Sequence, residues 1–229
     1  MHKPVPHSQH ADEGAPAFTD APAFASYLAN LGLFRMRPGL DRMITVLERL
    51  KLRRPPYCLV QIVGTNGKGS VSTMLAALAR EHGLSAGLHT SPHFLSVRER
   101  VRLDEELLEE KHWLHLANTL MRHGAGDLSY FEFVTCLAAL AFAEGGADIA
   151  IMESGLGGIY DATTAMEADL LVFTPISIDH QHILGHSLRE IAADKAGAIR
   201  PGVASFTSGQ HHDVLAELTR VSKERHALL

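Results

Sequence analysis

Apolar residues along the chain form short continuous runs, separated by longer segments with helical periodicity. Residues 57–63 (YCLVQIV), 147–153 (ADIAIME) and 168–176 (ADLLVFTPI) are apolar without alternation, which is typical of strands buried on both faces of a parallel sheet. Residues 85–90 and 203–208 predict two further strands. Because the strands alternate with helical segments, we predict an α/β protein with a doubly wound, mostly parallel sheet flanked by helices.

The segments between these strands have the spacing of apolar residues expected for helices. Residues 69–82 predict a helix whose buried face consists of Val71, Met74, Leu75 and Leu78. The other predicted helices are two short ones within residues 22–52, then residues 105–123, 130–146, 187–199 and 212–229. The residues before all of these, 1–20, are rich in Pro, His, Asp and Ala and are predicted to form a disordered tail.

Composition and charge narrow the class of protein. The chain has 229 residues, of which 46% are apolar, and a formal net charge of −5. A nucleic-acid-binding protein usually carries an excess of basic residues, which this chain does not have. The local run of Arg98, Arg100 and Arg102 is interpreted as a solvated strand or a small-anion site. No stretch approaches the ~20 apolar residues of a membrane span, and the first residues lack a secretory h-region. Cys58 and Cys136 are interpreted as buried free thiols, so we expect a soluble cytoplasmic protein.

A glycine-rich loop follows the first strand in the sequence QIVGTNGKGS, residues 61–70. It departs from the usual phosphate-loop pattern, because Ile62 replaces the first glycine and Gly69 lies between the lysine and the serine. The physical requirements are still met, since glycines let the backbone turn its N–H groups inward and the next helix directs its N-terminus at the same point. We therefore predict a phosphate-binding loop, with a purely structural turn as the alternative.

Polar residues follow several predicted strands at the edge where this loop lies. Ser91, Glu153 and His180 each come shortly after a strand, and ligands of open parallel sheets bind at the carboxyl ends of the strands. A carboxylate with phosphate and water oxygens is a usual Mg²⁺ environment, whereas a histidine is a less usual Mg²⁺ ligand, and His180 taken alone is interpreted as a core or helix-capping residue. Asp161 is interpreted as either a substrate ligand or a turn cap. Lys195, on a predicted helix, has the pattern of a solvated charge.

Several motifs together resemble one family. They are VGTNGKGS, TSPHF with ERVRL, YFEFVT, ESGLGG with DAT, and IDHQHILG with DKAGAIRPG, and LGLFRMRPGLDR precedes them. In this order and spacing, over residues 24–210, they resemble the folylpolyglutamate synthase/dihydrofolate synthase branch of the Mur ligases. The resemblance implies the P-loop central domain of a Mur ligase. It also implies an ATP-dependent ligase that adds L-glutamate to dihydropteroate, to folates or to both, through an acyl phosphate, with ATP and Mg²⁺.

The resemblance also implies roles for individual residues. The ATP loop would consist of Gly64, Thr65, Asn66, Gly67, Lys68, Gly69 and Ser70, and the metal ligands would be Ser91, Glu153 and His180. Lys195 matches a lysine that the family carbamylates, which reverses the interpretation as a solvated charge. The catalytic residues would be Lys68, Lys195 and Asp161, and the acid substrate would contact Leu40, Asp41, Arg42, Ser129, Tyr160 and Asp161.

The sequence departs from the family pattern in two respects. Ile159 stands where the family has arginine, and Thr164 stands where asparagine is usual. Family members are also roughly twice as long, so residues 21–229 are expected to form an ATP-binding domain that is incomplete at its C-terminal end and lacks a C-terminal partner half. Two alternatives stay open: another Mur-type amide ligase with a different acid substrate, and a non-catalytic nucleotide-binding remnant. A GTPase is disfavoured, since the chain has no N-K-x-D motif.

Overall fold

The computed structural model describes residues 16–32 and 38–229. Its helices are α1 (Ala21–Leu31), α2 (Asp41–Arg49), α3 (Lys68–Glu81), α4 (Glu110–Arg122), α5 (Tyr130–Glu144), α6 (Gln181–Leu184), α7 (Leu188–Ala196) and α8 (His212–Glu224). Its strands are β1 (Cys58–Val63), β2 (Ala86–His89), β3 (Val101–Leu103), β4 (Glu106–Leu107), β5 (Ile149–Glu153), β6 (Leu170–Phe173) and β7 (Ala204–Thr207). Short 3-10 turns span Val97–Arg100, Ala125–Asp127 and Ala162–Ala165.

The strands form one sheet in the order β4-β3-β2-β5-β1-β6-β7. The five strands from β2 to β7 in this order pair in parallel, while β3 and β4 are antiparallel to their neighbours. The prediction of a mostly parallel sheet flanked by helices is confirmed. Because β1 lies between β5 and β6, the carboxyl ends of these three strands meet at one edge of the sheet.

The predicted helix over residues 105–123 is wrong at its start. Residues 101–107 form a β-hairpin, and α4 begins only at Glu110. Asp104 and Glu105 have φ angles of 52° and 71°, which a two-residue hairpin turn requires. The acidic run therefore contains a turn and a short edge strand, and the helix follows it.

The sheet separates two layers of helices. On β1, Leu59 faces a core with α1, α2, α4 and α5, and Val63 faces a core with α7 and α8. Val60 and Ile62 point to the opposite side, where α3 packs. Successive strand residues alternate between the two faces of a sheet, so Leu59 and Val63 share one face of β1. The six helices that pack on these two residues' cores therefore lie on one side of the sheet, and α3 lies on the other.

The predicted buried face of α3 is partly wrong. Met74 and Leu78 are 62% and 57% exposed, whereas Ser72, Ala76 and Ala79 are buried against the sheet. Small side chains let the helix axis approach the strands closely, and the larger apolar residues then remain on the outer side. Val71 and Leu75, the other two residues of the predicted face, are partly buried as expected.

The amino-terminal boundary also differs from the expectation. Residues 1–15 of the predicted tail lie outside the described residues. Phe18 is buried, and its N–H donates to Asn118 Oδ1 at 2.8 Å. Asp20 caps α1 through the N–H of Ala23. The packed part of the chain therefore begins before residue 21, because an aromatic side chain near the end of the predicted tail fills the core beside α4.

The two cysteines have different environments. Cys136 is buried in α5, as expected, but Cys58 is exposed because it begins β1 at the amino end of the strand, and both thiols are free. No described helix is long and apolar enough to cross a membrane.

Candidate functional site

The glycine-rich loop joins β1 to α3 and requires glycine at two positions. A Cβ on Gly64 would lie 1.9 Å from Thr174 Oγ1, so only glycine lets β1 end this close to β6. Gly67 is the N-cap of α3 with φ 79°, a left-handed conformation that glycine adopts without strain. No heavy atom would lie within 4 Å of a Cβ at Gly67, so the loop backbone there is open to a ligand.

The loop is held by the segment that follows β6. The N–H groups of Thr65 and Asn66 donate to Pro175 O at 3.0 and 3.2 Å. Thr65 Oγ1 donates to Ser177 O and accepts from Ser177 N, each at 3.1 Å, and Asn66 Nδ2 donates to Ser177 Oγ at 3.0 Å. These bonds between two strand ends fix the loop before any ligand binds, which reduces the ordering cost of binding.

The start of α3 is suited to an anion. Lys68 is its first residue, and Lys68 Nζ lies 3.4 Å from Thr65 O, so the ammonium folds back over the loop. The first N–H groups of a helix have no intrahelical partners and carry the positive end of the helix dipole. Ser70, in the same turn, is exposed. The geometry therefore fits the predicted phosphate loop.

Glu153 lies directly against this turn. It ends β5, is 4% exposed, and accepts a hydrogen bond from Ser91 N at 2.9 Å. A Cβ on Gly69 would lie 3.5 Å from Glu153 Oε2. Burial raises the pKa of Glu153, while the Ser91 N–H and the Lys68 charge oppose this shift. Two of the three predicted metal ligands thus lie beside the phosphate loop.

His180 lies on a different loop. It follows β6, which β1 separates from β5, and it is the N-cap of α6 with φ 47°. Its side chain is 50% exposed, and Nε2 lies 3.6 Å from Asp179 Oδ2. The structure therefore groups Ser91 with Glu153 and places His180 at the same sheet edge on a more exposed loop. His180 occupies the N-cap position of α6, but its side chain makes no capping hydrogen bond to the helix.

Lys195 is buried, contrary to the pattern of a solvated charge. It is 3% exposed, and Nζ donates to Gly64 O at 2.9 Å. Burial lowers the pKa of Lys195 to about 8, and the nearby Lys68 charge contributes to the lowering. A lysine on α7 therefore reaches the base of the phosphate loop, where burial disfavours its charged form.

Asp161 is engaged in holding the glycine loop 154–158. One carboxylate oxygen accepts from the N–H groups of Gly155 and Leu156, at 2.7 and 2.9 Å. The other accepts from the N–H and the hydroxyl of Thr163, at 2.9 and 2.5 Å. Burial raises the pKa of Asp161, and these hydrogen bonds oppose the shift. The geometry favours the turn-cap interpretation, and a catalytic role for Asp161 stays a prediction.

The residues predicted to bind the acid substrate fall into two groups. Arg42, on α2, pairs with Glu132 at 2.8 Å, and Glu132 also accepts from Ser129 N at 2.8 Å, so Arg42 and Ser129 are brought together. Leu40 and Asp41 directly precede Arg42 at the start of α2. Tyr160, which is 57% exposed, and Asp161 lie on the loop after β5 instead. Glu132 joins the first group, and its capping-box spacing from Ser129 is the signal that sequence reasoning overlooked.

The two departures from the family pattern lie beside this second group. Ile159 is 41% exposed, and its N–H donates to Asp194 O at 3.2 Å. Thr164 is buried, donates to Gly158 O at 2.8 Å and accepts from Gln61 Nε2 at 2.8 Å. Thr164 therefore holds the glycine loop through its hydrogen bond to Gly158, and Ile159 presents an apolar side chain at the surface.

The donor set fits the predicted ligands. A carboxylate and a hydroxyl are hard oxygen donors of the kind that Mg²⁺ takes together with phosphate oxygens and water, and Ser91 and Glu153 supply them. Lys68 and the first turn of α3 supply the positive environment that phosphates need. Arg100, for which the sequence left a solvated strand or a small-anion site open, is 4% exposed and therefore not solvated. Its position within a run of three arginines pointed to an anion site as one alternative.

The chain is similar to several known proteins. It is 35% identical over 202 residues to the dihydrofolate synthase/folylpolyglutamate synthase of Bacillus subtilis, covering 85% of this chain and 47% of that protein. A structure of E. coli FolC in complex with DHPP and ADP has a TM-score of 0.86 and 32% identity, covering 94% of this chain and 52% of that chain. A bifunctional folylpolyglutamate synthase/dihydrofolate synthase from Yersinia pestis, with AMPPNP and Mn ion, has a TM-score of 0.84 and 33% identity, covering 95% and 53%.

No family model matches the chain. The chain spans about half the length of the curated relatives it matches. Identity of this extent over most of the chain, together with the matching sheet and helices, decides the family. The chain belongs to the folylpolyglutamate synthase/dihydrofolate synthase family.

Proposed function

We propose that this chain provides the ATP-binding half of an ATP-dependent ligase that adds L-glutamate to dihydropteroate, to folates or to both, through an acyl phosphate. One observation carries the proposal: the Glu153 carboxylate lies between Ser91 N and the first turn of α3. A buried carboxylate beside an anion-binding turn needs a cation between the two, and a metal–nucleotide complex supplies one.

The chain's own residues bind and orient the nucleotide. The loop from Gly64 to Ser70, with Thr65, Asn66, Gly67, Lys68 and Gly69, surrounds the phosphates with N–H groups and the Lys68 ammonium. Ser91 and Glu153, with His180 from the neighbouring loop, would hold Mg²⁺. When bound, Mg²⁺ neutralises charge on the transferring phosphoryl group. The complexes of relatives with ADP, and with AMPPNP and Mn ion, support this arrangement.

Lys195 and Asp161 complete the proposed catalytic set. Lys195, buried against Gly64, is proposed to become carbamylated, which would turn a buried cation into a carboxylate able to support a second metal ion. Asp161 holds the glycine loop that approaches α7. Lys68 acts on the phosphates directly, and Asp161 acts by keeping the loop in place.

The acid substrate is proposed to bind between the starts of α2 and α5 and the loop after β5. This surface includes Leu40, Asp41, Arg42, Ser129, Tyr160 and Asp161. Arg42 and Ser129 are fixed by the same carboxylate, Glu132, so one side of the pocket is organised in advance. The complex of the E. coli relative with DHPP supports an acid pocket in this family.

We further propose that the packed part of the chain, from Phe18 onward, acts as an ATP-binding domain in the cytoplasm together with a C-terminal half. The length of the relatives supports the need for a second half. Two free thiols, Cys58 and Cys136, support a reducing compartment. A net charge of −5 supports small-molecule ligands over nucleic acid.

The nucleotide site is tested by calorimetric titration of the chain with MgATP. Lys68→Ala removes the ammonium from the loop, and we expect it to abolish measurable MgATP binding, because hydrogen bonds to charged groups contribute about 1.5–3 kcal/mol each. Lys223→Ala is the matched control, since Lys223 is an exposed lysine near the end of α8. Unchanged affinity of the Lys68 variant would contradict the phosphate-loop assignment.

The acid substrate is tested by repeating the titration with dihydropteroate present. Tighter MgATP binding would support adjacent sites for both ligands on this half. MgATP binding that does not respond to dihydropteroate would leave the nucleotide site standing and favour a different acid, for which the apolar Ile159 at the pocket edge is the specific reason.

A further inference from the structure

Arg100 is a buried arginine that none of these roles uses. It is 4% exposed, and its Nε donates to His93 Nδ1 at 2.8 Å. Its Cζ lies 5.3 Å from the ring centroid of Tyr130. Among the described residues, no carboxylate forms an ion pair with Arg100, and neither Nη atom has a hydrogen-bond partner. Because buried arginines are almost always paired, a fork of two donors without an acceptor indicates a place for an anion.

The surroundings fix the guanidinium without neutralising it. His93 accepts from Arg100 through Nδ1, so this ring is a neutral acceptor in the structure. Tyr130 contributes a ring face, which orients a guanidinium and leaves its charge in place. The backbone of Arg100 is also held, because its carbonyl accepts from Thr90 N at 3.1 Å and lies 3.0 Å from His89 Nδ1.

The location of Arg100 relates it to both proposed ligands. His93 follows Ser91 by two residues, and Tyr130 follows Ser129 directly, so the guanidinium lies between a proposed metal ligand and a proposed substrate residue. It is near enough to Glu153 for the two charges to influence each other's protonation. Its segment leads into β3, whereas the phosphate loop follows β1 on the opposite side of β5. Arg100 therefore faces the site from the side of the acid pocket.

We propose that Arg100 forms an anion subsite that binds the carboxylate of the acid substrate, the group that is to be phosphorylated. This inference rests on the proposed function and adds the residue that positions the reacting group. The guanidinium fork matches a carboxylate with two parallel N–H···O bonds. The positive charge of Arg100 also offsets two repulsions that act on this carboxylate, one from Glu153 and one from the nucleotide phosphates. The subsite binds and orients, and no bond is made or broken at Arg100.

The test measures binding of two ligands that differ only at the carboxylate, dihydropteroate and its methyl ester, by calorimetry of the full chain in the presence of MgADP. We expect Arg100→Gln to weaken dihydropteroate binding roughly 10-fold to 100-fold, from the contribution of a charged hydrogen bond. Binding of the ester and of MgADP should change by less than about 2-fold, since neither offers a carboxylate to Arg100. Arg102→Gln, the same change two residues along on half-buried β3, should leave all three affinities unchanged.

Each other outcome overturns the assignment. Equal loss of acid and ester binding would make Arg100 a structural residue, and loss of MgADP binding would assign it to the nucleotide. If the unaltered chain binds MgADP but neither the acid nor the ester, both this proposal and the acid part of the proposed function fail; full retention of acid binding by the variant overturns this proposal alone. If Arg100→Gln does not fold, Arg100→Lys keeps the charge and loses the fork, and it must still weaken the acid more than the ester.

Discussion

Lys195 places an ionisable side chain at a buried position beside the phosphate loop. Its Nζ donates to Gly64 O, and burial lowers its pKa to about 8. A lysine in water has a pKa of about 10.4, so at pH 7 the neutral amine rises from a negligible fraction to about one tenth. Only the neutral amine has the lone pair that attacks CO₂. We therefore expect a larger fraction of Lys195 than of an exposed lysine to be available for reaction with CO₂ at pH 7.

We predict that Lys195 carries one CO₂ when the protein is kept in bicarbonate, and that occupancy increases with pH. The amine loses its proton as the pH rises through about 8, and the carbamate is lost when acid returns the proton, so occupancy should be higher at pH 8.5 than at pH 6.5. Native mass spectrometry of freshly purified protein measures the added mass.

Lys195→Arg is the control for this adduct, because arginine keeps the positive charge and stays protonated. The variant should show no added mass at either pH. An adduct of equal occupancy in this variant would place the modification elsewhere, and no adduct on the unaltered protein in saturating bicarbonate would remove the proposed role of Lys195.

At the scale of residues, local chemistry was predictable and burial was not. Lys68 and the glycines around it were identified because the phosphate loop is one contiguous segment between a strand and a helix. The burial of Lys195 and Arg100 depends on segments far apart in the sequence, such as Gly64 against α7. The carboxylate of Asp161 was predicted with two alternatives, and its four hydrogen bonds to neighbouring loop atoms favour the cap.

At the scale of elements, α3 shows how a helix packs against a sheet through small residues. Ser72, Ala76 and Ala79 face the strands. On the opposite side of the sheet, a Cβ on Gly87 of β2 would lie 2.6 Å from the ring of Phe142, so glycine is needed there. The outward residues Met74 and Leu78 contribute apolar surface to solvent. The close approach brings the first turn of α3, and hence Lys68, to the carboxylate of Glu153.

We predict effects of unequal size on stability for two substitutions on α3. Ala76→Leu adds volume against the strands and should lower the free energy of unfolding by about 1–3 kcal/mol. Leu78→Ala removes an exposed side chain and should change it by less than about 0.5 kcal/mol. Urea denaturation with a constant m-value measures both. A larger cost for the Leu78 variant than for the Ala76 variant would restore the face expected from apolar spacing.

Strands with continuous apolar runs were predicted correctly, whereas the short polar strands β3 and β4 were not. The parallel strands β1, β5 and β6 are continuous apolar runs, and the structure contains each of them. The hairpin of β3 and β4 lies in a segment rich in arginine and acidic residues, because an edge ribbon needs no buried side chains on its outer face. Short exposed strands lack the hydrophobic pattern on which sequence prediction depends.

At the scale of the whole molecule, the sequence predicts the layers of the fold but not the strand order. The order β2-β5-β1-β6 brings Ser91, Glu153 and the phosphate loop together at one edge. Each strand end carries its polar residue in sequence, yet which ends are neighbours depends on long crossover connections. The site was therefore predictable as a set of residues, while their distances required the structure.

The sheet is covered unequally on its two faces. On the face that packs against α3, Phe206 of β7 pairs with Val172 of β6, and Ala204 pairs with Leu170. Phe206 is 60% exposed, and Leu170 and Val172 are half-buried. The other face of the same strands carries Leu171 and Phe173 into the core with α7 and α8. A flat apolar patch therefore remains at the β7 end of the described sheet.

We predict that this patch, consisting of Leu170, Val172, Ala204 and Phe206, binds the apolar dye ANS in the folded protein. Phe206→Ser should lower the dye fluorescence and change the free energy of unfolding by less than about 0.5 kcal/mol, since the side chain is exposed. Phe94→Ser is the control, because Phe94 is 95% exposed, beside the equally exposed Leu95, on the loop after β2, and three strands separate β2 from β7. An equal fall in fluorescence for both variants would mean that the dye detects single rings. A fall for Phe206 alone shows that the uncovered sheet face is a continuous apolar surface, as the pairing of β6 with β7 requires.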